Sequence, residues 1–491
     1  MIMQNIPEVK LGIIAVSRDC FPKALAERRR TALVKEFGIG LYECLITVEN
    51  ETDALRAIED IETAGVNALV VYLGNFGPET PETLLAERFH GPVMYCAAAE
   101  GDGDLFDGRG DAYCGMLNCS YNLKLRRVRA HIPEYPVGMP AEIVGMIRDF
   151  IPIARTILGI RDLKVITFGP RPSDFLACNA PIKPLYDLKI AVEENSELDL
   201  LVSFGKHKDD KRIPDLVAEM AGELGENRYS GILPKLAQFE LTLIDWAAEH
   251  MGASRYVVFA NKCWPAFQTE FGFVPCYVNS RLTGRGIPVA CEVDIYGALS
   301  EYIGICASGN EVTLLDVNNT VPDSIYSDVI KQMYEYRKAE LFMGFHCGNT
   351  CASRLRVPKM GYQLIMKRAL EPGSPEPDIT RGTLEGSILP GNISLFRLQG
   401  AADTSLTVYI AEGEVLDVEA ESFGGIGIFA IPEMDRFYRH VLIEKAFPHH
   451  TVVVFSHSGK ALFETMKYLG IEDISYNQPA GRLYKTENPF V

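Results

Sequence analysis

No stretch of this sequence approaches the roughly 20 consecutive apolar residues that a membrane-spanning helix requires, so a membrane is not expected as a partner. Positive charge is also in short supply, with 48 Lys and Arg against 65 Asp and Glu and a formal net charge of -17. No basic stripe is available to track a phosphate backbone, which excludes nucleic acid as an expected ligand. The one basic cluster, Arg28 to Arg30, falls on an expected helix as a solvated face. None of the loops after the expected strands in the first third of the chain carries the G-x-G-x-x-G phosphate cradle, so a dinucleotide is not indicated. The 12 cysteines are scattered without a framework, which in a long chain implies reduced thiols and a cytoplasmic setting. Cys347 and Cys351 stand close together but lack the second pair that a tetrahedral zinc site needs. Near the start, LGIIAV is too short for a secretory apolar region and lacks a small-residue cleavage site, in keeping with the cytoplasm.

What is present is an ordinary globular composition in a chain of 491 residues, too long for one core. Strand and helix signals alternate over residues 9 to 150, through VKLGIIAV, YECLITV, ALVVYL and PVMYCA, in the rhythm of a doubly wound parallel sheet. A second α/β block opens near Leu163 with KVITFG and runs through the strand YVVFA. From Thr383 the pattern shifts to short strands with turn signals, including ISLFRLQG, LTVYIAEGEV and IGIFAI. The expected architecture is therefore α/β: two doubly wound parallel-sheet domains, residues 1–162 and 163–325, followed by a β-rich, barrel-like domain, residues 326–491.

The chemistry is expected between Ile287 and Asn319. The apolar run IPVAC ends on Glu292 and the run VTLL ends on Asp316, with a helical pattern between them. A crossover of this length joins parallel strands, which would bring both carboxylates to the carboxyl edge of one sheet, where open α/β sheets bind ligands. Neighbouring strand tips lie about 5 Å apart, or about 10 Å with one strand between them, and either spacing lets two carboxylates grip one cation. The same residue types also cap helices, so ligation and capping both stand open at this point.

Other candidates lie at expected strand ends. Arg18 and Asp19 follow the first strand, and Arg109 sits in a Gly- and Asp-rich loop over residues 100 to 115 whose acidic spacing does not match a calcium loop. Trp264 follows YVVFA with Lys262 and Gln268 nearby; a flat aromatic beside polar groups suits a sugar face, and a Trp packed in the core fits equally well. His346 lies in the Gly-bounded turn FHCGN, and His449 and His450 precede the strand TVVVF. Two carboxylates and an imidazole make a hard to borderline site suited to Mn²⁺, Mg²⁺ or Co²⁺.

The segments CWPAFQTEFG, GIPVACEVDIYGAL with LLDVNN beyond it, GFHCGNT and HHTVVVFSH resemble those of the L-fucose and L-arabinose isomerase family of aldose–ketose isomerases, over almost the whole chain. The resemblance implies a small-molecule sugar substrate, a catalytic divalent metal, usually Mn²⁺, on Glu292, Asp316 and His450, and, as in the arabinose branch, His346 as a further ligand. It implies that Glu292 and Asp316 also shuttle the proton of an enediolate mechanism, with a two-metal hydride shift as the competing route. It further implies a homotrimer or homohexamer with active sites at subunit interfaces, where Arg18 and Asp19 touch a neighbour's sugar. Arg18, Arg109 and Lys262 are the cations available for a sulfonate or phosphate. A non-catalytic sugar-binding or regulatory protein and a metal-dependent aldolase are the alternative functions.

Overall fold

The structure is a computed structural model that describes residues 4–106, 109–224, 231–365 and 380–490. Asp107 and Gly108 of the Gly- and Asp-rich loop lie outside the described residues. The chain forms two compact units, one of Pro7–Leu158 with Glu464–Gly470 and one of Met1–Ile6, Gly159–Phe463 and Ile471–Val491. Among the described residues no helix is long and apolar enough to cross a membrane.

The first unit is built on five parallel strands, β1 (Leu11–Val16), β2 (Leu41–Glu43), β3 (Ala68–Leu73), β4 (Val93–Ala98) and β5 (Val137–Gly138), in the order β2-β1-β3-β4-β5. Every residue of β1, β3 and β4 is buried. Helices cover both faces of such a sheet, which is why these strands read as continuous apolar runs rather than as alternating ones. At the carboxyl edge Asn75 ties two loops together: its Oδ1 accepts from the Arg18 backbone N–H at 3.0 Å and its Nδ2 donates to Ser17 Oγ at 2.8 Å.

The second unit holds two sheets. One is parallel, from β6 (Leu163–Gly169), β7 (Ala191–Ser196), β8 (Tyr256–Asn261) and β9 (Val289–Cys291), in the order β7-β6-β8-β9. The other is mixed, from β10 (Val312–Asn319), β11 (Leu341–His346), β12 (Lys359–Tyr362), β13 (Arg381–Ser387), β14 (Gly391–Gly400), β15 (Leu406–Val415), β16 (Gly425–Ala430), β17 (His450–Val454) and β18 (Asp473–Tyr476). Strands β16, β11, β10, β17, β14 and β15 follow one another, and β15 pairs back onto β16, so these six close into a barrel. Closure leaves no free edge among them.

The helix Ile295–Ser308 joins the two sheets, and all of its residues from Tyr296 to Ala307 are buried. It packs against β8 on one side and against β14 and β17 on another. A helix buried on every side needs packing partners on every side. The expectation that β9 and β10 are parallel strands of one sheet is therefore corrected. β9 pairs in parallel with β8, whereas β10 lies in the barrel between β11 and β17, antiparallel to both. The crossover rule applies to a helix that returns its chain to the same sheet; this helix is sandwiched and hands the chain from one sheet to the other.

Candidate metal centre

Glu292 is the first residue after β9, and Asp316 sits within β10. In the antiparallel register of β10 with β17, Asp316 faces His450, the first residue of β17. Directly opposed residues on antiparallel strands place their side chains together. The result is a tight cluster: His450 Nε2 lies 3.4 Å from Glu292 Oε2 and 3.5 Å from Asp316 Oδ1. His449 adds its Nε2 at 3.7 Å from Asp316 Oδ1, and the His346 and His450 rings lie 5.6 Å apart.

The backbone at this point departs from ordinary geometry. Glu292 and Val293 have φ values of 61° and 57°, two consecutive left-handed residues that both carry side chains. Each costs on the order of 1–2 kcal/mol relative to the right-handed form. Such strain collects where a side chain must be aimed. Here it turns Glu292 from the end of one sheet toward a histidine of the other.

Glu292 is held from both sides. Trp264 Nε1 donates to its Oε1 at 3.1 Å, leaving Oε2 toward His450. Burial pushes the carboxyl up, but His450, His346 and the Trp264 N–H outweigh burial and hold it below its ordinary value. His450 is anchored from behind, its Nδ1–H donating to Asp294 Oδ2 at 2.8 Å. Asp294 in turn takes two bonds from the fully buried Arg397, at 2.6 and 2.9 Å, and one from the Gly297 backbone N–H at the start of the central helix. Gln399 Oε1 accepts two more from the same guanidinium. Burial raises the Asp294 carboxyl, yet Arg397 and His450 prevail and drive it far below the usual carboxylate range. Burial likewise disfavours a charged His450, but Asp294, Cys178 and Glu292 outweigh it and raise the imidazole well above its ordinary value.

Whether these residues suit a divalent cation can be tested on their free atoms. Glu292 Oε2, Asp316 Oδ1 and His450 Nε2 are all buried, and none has a hydrogen-bond partner among the described residues. Orphaned polar atoms of this kind are costly, and His450 shares two groups whose ligand atoms could hold a metal ion, one with Glu292 and His449 and one with Asp316 and His346. Two carboxylate oxygens and one imidazole nitrogen, with a third carboxylate, that of Asp294, orienting the ring, match the donors and the outer support of such a centre. His346 differs in kind: its Nδ1 accepts the Cys347 backbone N–H at 3.0 Å, so the neutral ring carries its proton on Nε2 and is equipped to donate. A second acidic group, His207, Asp210 and Asp245, already has its cation, since Arg212 bonds both carboxylates.

The remaining sequence candidates are distributed as follows. Trp264 joins the cluster, and Phe175 packs edge-on against both it and His449, at ring distances of 6.2 and 5.6 Å. Lys262 is committed to Glu197 at 2.8 Å. Gln268 is buried and donates to the Cys263 carbonyl at 2.6 Å, bracing the loop that carries Trp264. Arg18, Asp19 and Arg109 belong to the first unit, whereas the cluster is made entirely from the second. Arg18 lies over the Phe76 ring at 5.0 Å and near Glu79 at 3.7 Å, Asp19 is exposed, and Arg109 pairs with Asp111 at 3.2 Å. Sequence reasoning missed Asp294, Arg397 and Phe175. Asp294 carried a signal, a second acid two positions after Glu292 at a helix start, and so did Arg397, a lone charge inside the apolar strand ISLFRLQG.

Comparison with known proteins finds relatives of both ends of the chain. Residues 12–161 match the N-terminal domain of the fucose/sulfoquinovose isomerases, and residues 344–476 match the C-terminal domain of L-fucose isomerase. A sulfoquinovose isomerase of Alkalicoccus urumqiensis is 25% identical over 334 residues, covering 67% of this chain and 68% of that protein. One of Priestia aryabhattai is 24% identical over 338 residues, covering 66% of this chain and 67% of its own length. Another, of Clostridium sp. (strain MSTE9), is 26% identical over 208 residues, covering 42% and 41%. The class so defined is that of an aldose–ketose isomerase. Within it, the chain belongs to the fucose isomerase-like family.

Proposed function

We propose that this isomerase works with one divalent cation, Mn²⁺ first among the candidates, on Glu292, Asp316 and His450, and interconverts an aldose and its ketose through an enediolate. The observation that carries this reading is the convergence of three buried, unbonded polar atoms, one from each residue. When bound, the cation would supply Lewis-acid polarisation of the sugar oxygens on C1 and C2. Proton transfer between C2 and C1 falls to the carboxylate pair, acting first as base and then as acid. Trp264 keeps one oxygen of Glu292 occupied, so that the other is the one presented. His346 is placed to donate from Nε2 to a substrate oxygen. Phe175 packs edge-on against Trp264 and His449 and so forms part of the wall beside the ligands.

The relatives are named sulfoquinovose isomerases, and that sugar, a glucose bearing a sulfonate on C6, is the substrate we put forward. The hydride-shift route needs a second metal. The group His207, Asp210 and Asp245 is neutralised by Arg212, and Asp294 beside His450 is neutralised by Arg397, which favours the enediolate route.

The test is turnover of sulfoquinovose in deuterated water with added Mn²⁺. We expect deuterium to enter the product at the carbon that receives the proton, chelation to abolish turnover, and Glu292→Gln and Asp316→Asn each to lower kcat by about 10²–10⁴ while the protein stays folded. Full activity after chelation, cleavage into smaller fragments, or binding without turnover would each defeat the proposal. Turnover without deuterium uptake would move the mechanism to a hydride shift.

A further inference from the structure

Beside the cluster, the second unit has an open pocket of about 560 Å³, within the range that holds a small organic ligand. It lies at the carboxyl ends of β6 and β7, with Arg171 and Asn179 from the loop after β6, Glu194 from β7, and Val293 in its wall. The carboxyl ends of parallel strands are where α/β sheets take ligands.

The cavity and the cluster share walls. Val293 directly follows Glu292, and Cys178, which lines the cavity, has its Sγ 3.7 Å from His450 Nδ1. Phe175, on the same loop between Arg171 and Cys178, reaches the rings of Trp264, His449 and His450. One loop thus faces the candidate metal centre with its aromatic ring and the cavity with its cation.

Arg171 is the anomaly. The three buried arginines among the described residues, Arg30, Arg281 and Arg397, each meet a carboxylate. Arg171, only partly exposed, has no hydrogen bond or ion pair among the described residues, while Asn179 and Glu194 in the same wall are exposed to solvent. A partly desolvated guanidinium left unpaired in the wall of a pocket awaits an anionic partner. The charge balance narrows which one. Arg171 and Glu194 cancel, so the cavity tolerates one added negative charge better than two. A sulfonate carries one, whereas a phosphate monoester carries close to two at neutral pH.

We propose that Arg171 is the residue that sets substrate specificity, its guanidinium taking the anionic end of the sugar while Asn179 and Glu194 meet neighbouring hydroxyls, with a sulfonate preferred over a phosphate. For the sugar this rests on the isomerase reading; for the anion it rests on the cavity.

The experiment uses the full chain loaded with Mn²⁺, as wild type, Arg171→Met and Arg171→Lys. Steady-state kinetics are measured on sulfoquinovose, glucose 6-phosphate and glucose, and calorimetric binding on the alditols of the first and last, which cannot isomerise. We expect Arg171→Met to raise the KM for sulfoquinovose about 10- to 100-fold, the worth of a charge-assisted hydrogen bond, with kcat within about threefold. Arg171→Lys should recover part of the loss, glucose should be insensitive to either change, and the phosphate should be the poorer anion in wild type. An unchanged KM, or an equal loss on glucose, overturns the assignment, and a phosphate that matches the sulfonate overturns the charge argument. Wild type that binds the sulfonated alditol through Arg171 yet turns over no sugar sinks the isomerase reading alone. Wild type that neither binds nor turns over the sulfonated compounds sinks both. Should Arg171→Met fail to fold, Arg171→Gln takes its place.

Discussion

Asp294 Oδ2 accepts the Nδ1–H of His450 at 2.8 Å, and this one bond decides which nitrogen of the ring faces Glu292 and Asp316. A histidine that donates from one nitrogen to a carboxylate offers the lone pair of the other, the arrangement typical of metal-ligating imidazoles. Because Asp294 is also the partner of Arg397 and the cap of the central helix, orientation of the ring and stability of the core are joined in one side chain.

Asp294→Asn is therefore expected to have two effects. Mn²⁺ affinity should fall about 10- to 100-fold, the usual consequence of removing an outer-shell carboxylate. Stability should also fall, by up to roughly 3–5 kcal/mol, because Arg397 would be left buried without its counter-charge. Calorimetric titration with Mn²⁺ and thermal unfolding measure the two separately. An unchanged Mn²⁺ affinity in a folded variant would show that the bond does not orient the ring.

Trp264→Phe removes the N–H that holds Glu292 while keeping an aromatic ring against Phe175. We expect kcat to fall about 10- to 150-fold, the equivalent of roughly 1.5–3 kcal/mol for a hydrogen bond to a charged group. Metal stoichiometry should stay at one per chain. Loss of metal together with activity would instead mean that the indole supports the ligand set rather than the reacting oxygen.

Glu82, in the first unit, is fully buried, and burial pushes its carboxyl from 4.5 up to about 8. Between those values the folded protein holds a proton on Glu82 that the unfolded chain has released, so its contribution to stability falls as pH rises toward 8. Glu82→Gln mimics the protonated group and abolishes that dependence. The variant should unfold at a higher temperature than wild type at pH 8.5, with the gap closing toward pH 5. Parallel unfolding curves across that range would rule out a buried, protonated Glu82.

The layered fold was legible because β1, β3 and β4 are buried along their whole length and therefore appear in the sequence as unbroken apolar runs. Glu292 and Asp316 stood out as acids closing or interrupting such runs, yet the reason they meet was misread. The crossover rule was applied to Ile295–Ser308 as though it covered one sheet, although Tyr296, Leu299, Tyr302, Ile303 and Cys306 already place apolar groups around the whole helix. The register that sets Asp316 against His450 could not be read, because strand pairing over such a separation depends on which sheet each strand joins. Arg397 was hidden for the same reason: a charge inside an apolar strand announces a buried counter-charge without saying where in the chain it lies.

The sandwiched helix has one more implication. Its two neighbours along the chain, Glu292 before it and Asp316 after it, are rooted in different sheets, so the opening between them is gauged by how closely that helix nestles against each side. Gly304 allows the approach on the barrel side, where a methyl group would come within 2.9 Å of Val454 and 3.2 Å of Val312. Widening or narrowing the gap for an ion of another radius is thus a matter of trimming hydrocarbon deep in the interior, with every ligand left untouched.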